Sequence, residues 1–248
     1  GIVGEFIQGE IIGSSVNAQL SGETVGGIVS DFSTGGIYTS FFIGDINASS
    51  YAGGIASFYQ SDNYGKIENC FAVGSINLIG DWSDSAGGLF ADSDGNVTNS
   101  FANVDVTGNY NAGGLIGSAY GNITNCYSLG NVTRISSSSY THFGGFIGEY
   151  GGYGNISNSY SIGKVIYDGA TNPTNKGFLG YTDEVLDVNN YFDVNASLKT
   201  STVGNALGKT TSEMKTQNTF TDWDFTDVWA IDSSKNDGYP YLINNPPR

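Results

Sequence analysis

One phrase recurs along most of the chain, and this repeat restricts the possible folds more than any local pattern does. Its clearest copy is GGLIGSAYGNITNCYSLGNVT, over residues 113–133. Related copies follow at intervals of 26 to 34 residues, with the second glycine of the opening pair at positions 1, 27, 54, 88, 114, 145 and 177. Seven copies at a near-constant period predict an architecture in which each unit packs against its neighbours.

Each copy contains three short strand-like segments, which in the clearest copy are Gly114–Ser118, Asn122–Ser128 and Asn131–Arg134. Residues that favour strands dominate these segments, and Gly or Gly-Asn turns bound them. A propeller blade needs about 40 residues, whereas about 26 suffice for one coil of a β-solenoid. The sequence therefore predicts an all-β fold over residues 1–193, a parallel β-solenoid with three short strands per coil and about seven coils.

Residues 194–248 break the period and are predicted to form a C-terminal cap and tail. Thr210 and Glu213 fit a capping box, which predicts a short helix. The aromatic stretch that follows is expected to cover the last coil, because a solenoid needs a terminal unit. Asn244–Arg248 is predicted to be a linker or a frayed tail.

The chain is acidic, with 9 Lys and Arg against 24 Asp and Glu, and its net charge is −15. Such a chain has little with which to neutralise phosphates, so we expect no nucleic-acid partner. No apolar run approaches the roughly 18 residues that a transmembrane helix needs, so we expect no membrane insertion. The acidity suits a surface that meets divalent cations.

The two cysteines, Cys70 and Cys126, hold the same repeat position two copies apart, with Ser100 between them. Two rungs of a parallel sheet separate their backbones by about 9.6 Å. A disulfide needs Cα atoms within about 7 Å. We therefore predict two free thiols.

An aromatic residue follows the Cys or Ser position in most copies. Stacked coils would arrange these residues as a column, which is predicted to pack in the core or at a corner. Rings that pointed outward would instead form a stripe for stacking sugars. The column comprises Phe71, Phe101, Tyr127 and Tyr160, with Tyr191 and Phe41 or Phe42 as further members.

Loop length varies mostly between the third strand and the next Gly-Gly. The long versions are Leu78–Ser85, Ile135–His142 and Asp168–Asn175, which should cluster along one edge. Insertions on one edge of a solenoid often form its binding face; the alternative is surface insertion without a ligand. The predicted contact residues are Trp82, Tyr140, His142 and Tyr167.

A possible calcium loop begins at Asp92, Asp94 and Asn96, in the pattern D-x-D-G-N. The glutamate expected at the twelfth position of such a loop is absent, so a plain turn is the alternative. Weakly bound calcium is the one cofactor that the sequence suggests.

The chain has six N-x-Ser/Thr sequons, which are candidate glycosylation sites. Three of them, at Asn96, Asn122 and Asn155, share one repeat position and would form a row; the alternative is asparagine selected for turn geometry. The complete set is Asn47, Asn96, Asn122, Asn131, Asn155 and Asn195.

No catalytic motif is present, and no catalytic residue is assigned. The single histidine, His142, lies in a Ser-rich loop, and the acidic residues are scattered over turns. Arg134 is the only arginine before Arg248, which leaves little to bind sugar acids. The chain is predicted not to be an enzyme.

The pattern of glycine, Leu or Ile, an apolar residue and glycine, followed by I-x-N-[CS]-[FY], resembles the GLUG repeat. The resemblance covers roughly residues 1–193 and is best in the copies at 87, 113 and 144. GLUG repeats occur in large surface adhesins of bacteria and methanogenic archaea and in haemagglutinin-like proteins. Some immunoglobulin-cleaving metallopeptidases carry them beside a separate protease domain.

The resemblance implies a non-catalytic, extracellular adhesin module at a cell surface. Such a module would present its loop-bearing edge to a glycan, a surface protein or a second copy of itself. The alternative is a structural subunit that polymerises head to tail into an extracellular filament, sheath or surface layer.

Overall fold

A computed structural model describes residues 1–59, 65–79, 84–135, 142–152, 154–167, 173–183 and 187–247. These residues form two large sheets of parallel strands, with two short α-helices near the C-terminal end. The prediction of an all-β parallel β-solenoid is confirmed. In the described part of the chain, no helix is long and apolar enough to cross a membrane.

The strands of the first four copies are β1 (Val3–Ile12), β2 (Ser15–Gly26), β3 (Val29–Tyr38), β4 (Phe41–Gly53), β5 (Ala56–Tyr59), β6 (Lys66–Glu68), β7 (Phe71–Leu78), β8 (Ser85–Gly87), β9 (Phe90–Ser93), β10 (Asn96–Thr98), β11 (Phe101–Gly108) and β12 (Asn111–Gly113). The later repeat strands are β13 (Ile116–Ala119), β14 (Ile123–Thr124), β15 (Tyr127–Ser128), β16 (Val132–Arg134), β17 (Phe143–Gly144), β18 (Ile147–Tyr150), β19 (Ile156–Ser157), β20 (Tyr160–Ser161), β21 (Val165–Tyr167), β22 (Leu179–Thr182), β23 (Asp187–Val188) and β24 (Tyr191–Asp193). The C-terminal elements are α1 (Val194–Ser197), β25 (Leu207–Lys209), α2 (Thr211–Met214), β26 (Trp229–Ala230) and β27 (Tyr241–Leu242), with 3₁₀ turns at Gln217–Thr219 and Asn236–Gly238.

Each coil has four strand positions, which we label a, b, c and d in chain order. In the copy that begins at Gly114 they are β13, β14, β15 with β16, and β17. The prediction of three strands was wrong in two respects. The predicted strand Asn122–Ser128 is divided at Asn125, whose φ of 54° ends β14, and an additional strand precedes each Gly-Gly.

The b–c corner is built on a left-handed backbone position that recurs in every copy. Asparagine adopts this conformation more readily than most residues, because its short side chain hydrogen-bonds locally. The residues at this position are Gly13, Thr39, Asn69, Asn99, Asn125, Asn158 and Asn189.

The solenoid has about five complete turns, fewer than the seven coils predicted. The seven glycine positions include a first and a last copy that are edge coils. The a strand of the first, β1, pairs only with β3, and the a strand of the last, β22, lies at the end of its sheet. These two copies therefore lack a neighbouring coil on one side.

Both cysteine thiols are free and buried, as predicted. The backbone N–H of Cys70 donates to Ser100 Oγ over 3.0 Å, and that of Cys126 donates to Ser159 Oγ over 3.1 Å. Burial raises the pKa of each thiol to about 12. The position therefore serves as a small polar column within the core, in which Ser and Cys are interchangeable.

The aromatic column is buried, but outside the core of the solenoid. Its rings stack in parallel at centroid distances of 4.7 to 5.1 Å from Phe41 to Tyr160. The rings belong to a second apolar cluster, which they form with residues of the C-terminal segment: Met214, Phe220, Trp223, Trp229, Tyr239 and Leu242. A stripe for stacking sugars is therefore not available along the covered part of this column.

The C-terminal segment begins as predicted, with a capping box. Glu213 N donates to Thr210 Oγ1, and Thr210 N donates to Glu213 Oε2 over 2.8 Å. Before it, β25 pairs with β24 and so covers the c strand of the last coil. The residues after β25 do not remain at the last coil, where the cap was predicted to lie.

Residues 210–245, the C-terminal strap, run back along the outer face of the c strands. Trp223 Nε1 donates to Asn189 O over 2.9 Å in the last coil. Asn245 Nδ2 donates to Cys70 O over 3.2 Å and to Asn99 O over 3.1 Å, in much earlier coils. The expected frayed tail is therefore wrong at Asn245, which is an anchor.

Candidate binding seam

The Gly-Gly corner folds strand a back onto the preceding strand d. A Cβ on Gly113 would lie 1.9 Å from Ile116 O, and one on Gly117 would lie 2.6 Å from Ala91 O and 3.0 Å from Ala86 O. Only glycine fits at such distances from a neighbouring backbone. The repeated glycines are therefore required by the close packing of strands a and d.

Two columns of side chains meet along this corner. The residue two positions before the first glycine belongs to strand d or directly precedes it, and the residue five positions after that glycine belongs to strand a. The two columns are in register from coil to coil. The two columns continue to Thr24 and Asp31, which are in register with Tyr51 and Phe58. We call nine of the residues in these columns the seam: Tyr51, Phe58, Ser85, Asp92, Asn111, Ser118, His142, Glu149 and Tyr181.

Asp92 lies near the middle of the seam. Its carboxylate has hydrogen bonds with Ser85 and Ser118, which favour the charged form. Burial nevertheless dominates, and together with the charges of Asp94 and Glu149 it raises the pKa of Asp92 to about 6. This carboxyl group thus changes its charge close to neutral pH.

Glu149 connects three neighbouring copies. Its Oε2 accepts a hydrogen bond from Asn111 Nδ2 over 3.0 Å and lies 3.4 Å from His142 Nδ1. The hydrogen bond with His142 is the main cause that holds the pKa of Glu149 below its ordinary value. Glu149 is therefore ionised under conditions in which Asp92 is partly protonated.

Aromatic pairs bound the seam at both ends. The rings of Tyr51 and Phe58 lie 4.4 Å apart, measured between centroids. At the other end His142 stacks on Tyr181 at 4.2 Å, and the Tyr181 hydroxyl donates to Asp183. All four rings are only partly buried. Between the two aromatic pairs, Asp92 and Glu149 are partly exposed, whereas Ser85, Asn111 and Ser118 are buried. Partly exposed carboxylates between two aromatic platforms suit an elongated polar ligand.

The family model of the GLUG motif matches the chain twice, at residues 108–133 and 139–166. Each match contains one Gly-Gly corner with the a and d strands that build the seam. Residues 108–166 carry GLUG repeats. The glycines that give the motif its recognisable pattern are those whose Cβ positions the adjacent backbone occupies.

A solved structure has the same fold as this GLUG-repeat chain. A candidate immunoglobulin A1 protease from Bacteroides ovatus superposes with a TM-score of 0.64 over 92% of this chain and 75% of that protein. The two sequences are 19% identical, so the likeness shows the fold alone. A search of curated protein sequences finds no match to this chain.

The predicted loop-edge residues are in different places. His142 belongs to the seam. Tyr167 does not, because its ring packs against Arg134, with 5.0 Å between the guanidinium carbon and the ring centroid. Trp82 and Tyr140 lie outside the described residues. The loops that carry them lead into strand d, so their described ends adjoin the seam.

The predicted calcium ligands are not directed at one point. Asp92 faces the seam, Asp94 is exposed, and Asn96 Oδ1 accepts hydrogen bonds from the N and Nδ2 of Asn122, each at 2.9 Å. Among the residues that the structure describes, no three His, Cys, Asp or Glu side chains are grouped to hold a metal ion. Calcium binding stays a prediction.

Three of the sequon asparagines form the row that their spacing predicts. Asn96 accepts from Asn122, and Asn122 Oδ1 accepts from the backbone N of Asn155 over 2.9 Å. A second bonded row joins Asp105, Asn131 and Lys164 N. Both rows support turn geometry as one role of these asparagines. Asn47 and Asn195 are exposed, and glycosylation of the six sites stays a prediction.

Most of the seam was missed from the sequence. Of its nine residues, only His142 and Asp92 were predicted as site residues from the sequence, and Asp92 was predicted as a calcium ligand. The available signal was a fixed separation of seven residues across each Gly-Gly, as between Tyr51 and Phe58 or between His142 and Glu149. This pattern has no meaning until strands a and d are known to pack against each other.

Proposed function

We propose that this chain is a non-catalytic, extracellular adhesin-type module whose seam binds a glycan. The observation that carries the proposal is the placement of hydrogen-bonding side chains between the Tyr51–Phe58 and His142–Tyr181 ring pairs. Pyranose rings have apolar C–H faces that pack on aromatic rings and hydroxyl groups that bond carboxylates and amides. A rigid row with both kinds of group suits a linear glycan.

A recognition role, rather than thiol catalysis, is supported by the burial of both cysteines. Cys70 and Cys126 are buried with strongly raised pKa values, which opposes a nucleophilic role for either. The protease activity suggested for the Bacteroides ovatus protein is not part of this proposal, because at 19% identity that likeness concerns the fold. We propose extracellular placement because GLUG repeats occur in surface proteins.

The proposal is tested by applying the whole chain to a glycan array and comparing variants. Tyr51→Ala and Tyr181→Ala each remove one aromatic platform and should abolish or strongly weaken binding. Tyr120→Ala is the matched control, because Tyr120 is 44% exposed and lies outside the seam. Absence of any glycan binding, or equal binding by all variants, would overturn the proposal.

A further inference from the structure

Two carboxylates of the seam, Asp92 and Glu149, have further carboxylates, Asp84 and Asp94, close by. Asp94 and Glu149 are the charged groups that raise the pKa of Asp92 in addition to its burial. Asp84, which is also buried, acts with Asp92 to raise the pKa of Tyr51, after burial of that ring. This part of the seam is therefore a concentration of negative charge and hydrogen-bond acceptors.

A hydrogen-bond acceptor that has no donor, the side-chain oxygen of Asn111, also lies in the middle of the seam. Asn111 is only 6% exposed, and its Nδ2 is committed to Glu149. Its Oδ1 accepts no hydrogen bond from any residue in the described part of the chain. A buried acceptor in this state destabilises the unliganded protein. The seam is thus short of donors as well as of positive charge.

The spacing of the seam indicates an elongated ligand. Phe58, Asp92, Ser118, Glu149 and Tyr181 occupy one register position in five consecutive coils. Four steps of a parallel sheet span about 19 Å. The pyranose unit of a linear glycan is about as long as one such step, so successive sugars would meet successive coils.

We propose that the seam binds a linear amino-sugar polymer, with ammonium groups against Asp92 and Glu149; this rests on the glycan-binding function proposed above. An ammonium group supplies the missing positive charge and the missing donors together. It is also attracted to the faces of the aromatic rings at the ends of the seam. Glycans with carboxylate or sulfate groups would be repelled by the seam carboxylates.

The experiment measures binding to the whole chain by calorimetry, with β-1,4-linked glucosamine oligomers and N-acetylglucosamine oligomers of equal length. Acetylation removes the charge and retains the sugar ring and its linkage. We expect the free-amine oligomer to bind about tenfold more tightly, which corresponds to about 1.4 kcal/mol. Its binding should weaken as salt is added, since the attraction is between charges.

Two variants test the assigned carboxylates. Asp92→Asn and Glu149→Gln should each weaken binding of the free-amine oligomer about tenfold and leave the acetylated oligomer nearly unaffected. Asp222→Asn is the control, because Asp222 is exposed, lies in the strap and already has the left-handed φ of 62° that Asn accepts. Thermal unfolding of each variant checks that the seam is intact.

The outcomes separate this inference from the proposed function. Equal binding of both oligomers, with no effect of Asp92→Asn, would refute the amino-sugar class and leave glycan binding in place. Binding only to some other glycan, lost in Tyr181→Ala, would do the same. Binding to a lysine-rich peptide but to no glycan would overturn both proposals.

Discussion

Asparagine holds the left-handed corner position in five of the seven copies, and Gly13 and Thr39 hold it in the first two. A β-branched residue is strained there, because its Cβ substituents crowd the backbone. In the five copies from Thr39 to Asn158 the next residue is a buried Ser or Cys, and after Asn189 it is the buried Asn190; the residue after that is Phe or Tyr, facing outward. The motif N-[CS]-[FY] therefore marks the b–c corner in the sequence.

Replacing Thr39 by Asn should stabilise the protein by about 0.5–1 kcal/mol, because it removes left-handed strain from an exposed position. The reverse change in a later copy, Asn158→Thr, should destabilise it by a similar amount. Urea unfolding of both variants measures the difference. A loss of stability in Thr39→Asn would contradict the assignment of strain to this corner.

Asp92→Asn should stabilise the protein at pH 7 by about 1–2 kcal/mol. The folded pKa of about 6 lies above the ordinary value of 3.8. The contribution of Asp92 to stability is thus fully present below pH 3.8 and is lost as the pH rises through about 6. The free energy of unfolding should fall less between pH 4 and pH 7 in the variant than in the parent. Identical pH profiles would show that Asp92 titrates normally.

Two tyrosines of the aromatic column should respond differently to the loss of the hydroxyl group. The Tyr160 hydroxyl donates to Pro240 O over 2.6 Å and accepts from Asn236 Nδ2 over 2.8 Å. The Tyr127 hydroxyl is buried with no partner among the described residues. Tyr160→Phe should therefore cost about 1–2 kcal/mol, whereas Tyr127→Phe should be neutral or stabilising. Equal losses in denaturant unfolding would disprove this distinction.

Residue-level inference from the sequence succeeded where one copy could be compared with the next. The free thiols of Cys70 and Cys126 followed from their spacing, and the row of Asn96, Asn122 and Asn155 from their shared position. The left-handed φ of Asn125 was missed, because a short segment rich in Ile, Thr and Tyr has the composition of a continuous strand.

At the scale of elements, the C-terminal strap explains why the outward aromatic column is not exposed. The tryptophans of the strap lie over the aromatic column. The ring centroid of Trp229 is about 6 Å from those of Tyr127 and Tyr160. The capping box of α2 was predictable because its residues are adjacent in sequence. The path of the strap was not, since the bond from Asn245 to Cys70 joins residues 175 positions apart.

Trp229→Ala should destabilise the protein by about 3–5 kcal/mol, because Trp229 is fully buried between the strap and the column. Phe225→Ala is the control, since Phe225 is only partly buried at the edge of the same cluster and should cost about half as much. The variant should also bind a hydrophobic dye through the uncovered rings. Equal, small effects would mean that the strap does not stabilise the solenoid.

At the scale of the whole molecule, the coils form a stack of parallel strands, and the chain has a net charge of −15. Like charge opposes association of copies at low ionic strength. We therefore expect a monomer in sedimentation at low salt, also at high protein concentration. Regular fibres in electron micrographs would instead favour the filament-subunit interpretation.

The strap also limits how such a protein can change its length in evolution. It is fastened to the coil of Asn189 at one end and to those of Cys70 and Asn99 at the other. Duplicating a coil between these points would move the attachment sites apart by about 4.8 Å, and the strap could no longer reach both. Repeats can therefore be gained or lost only outside the coils that lie between these two attachment points. The length of the C-terminal strap fixes the number of coils between them.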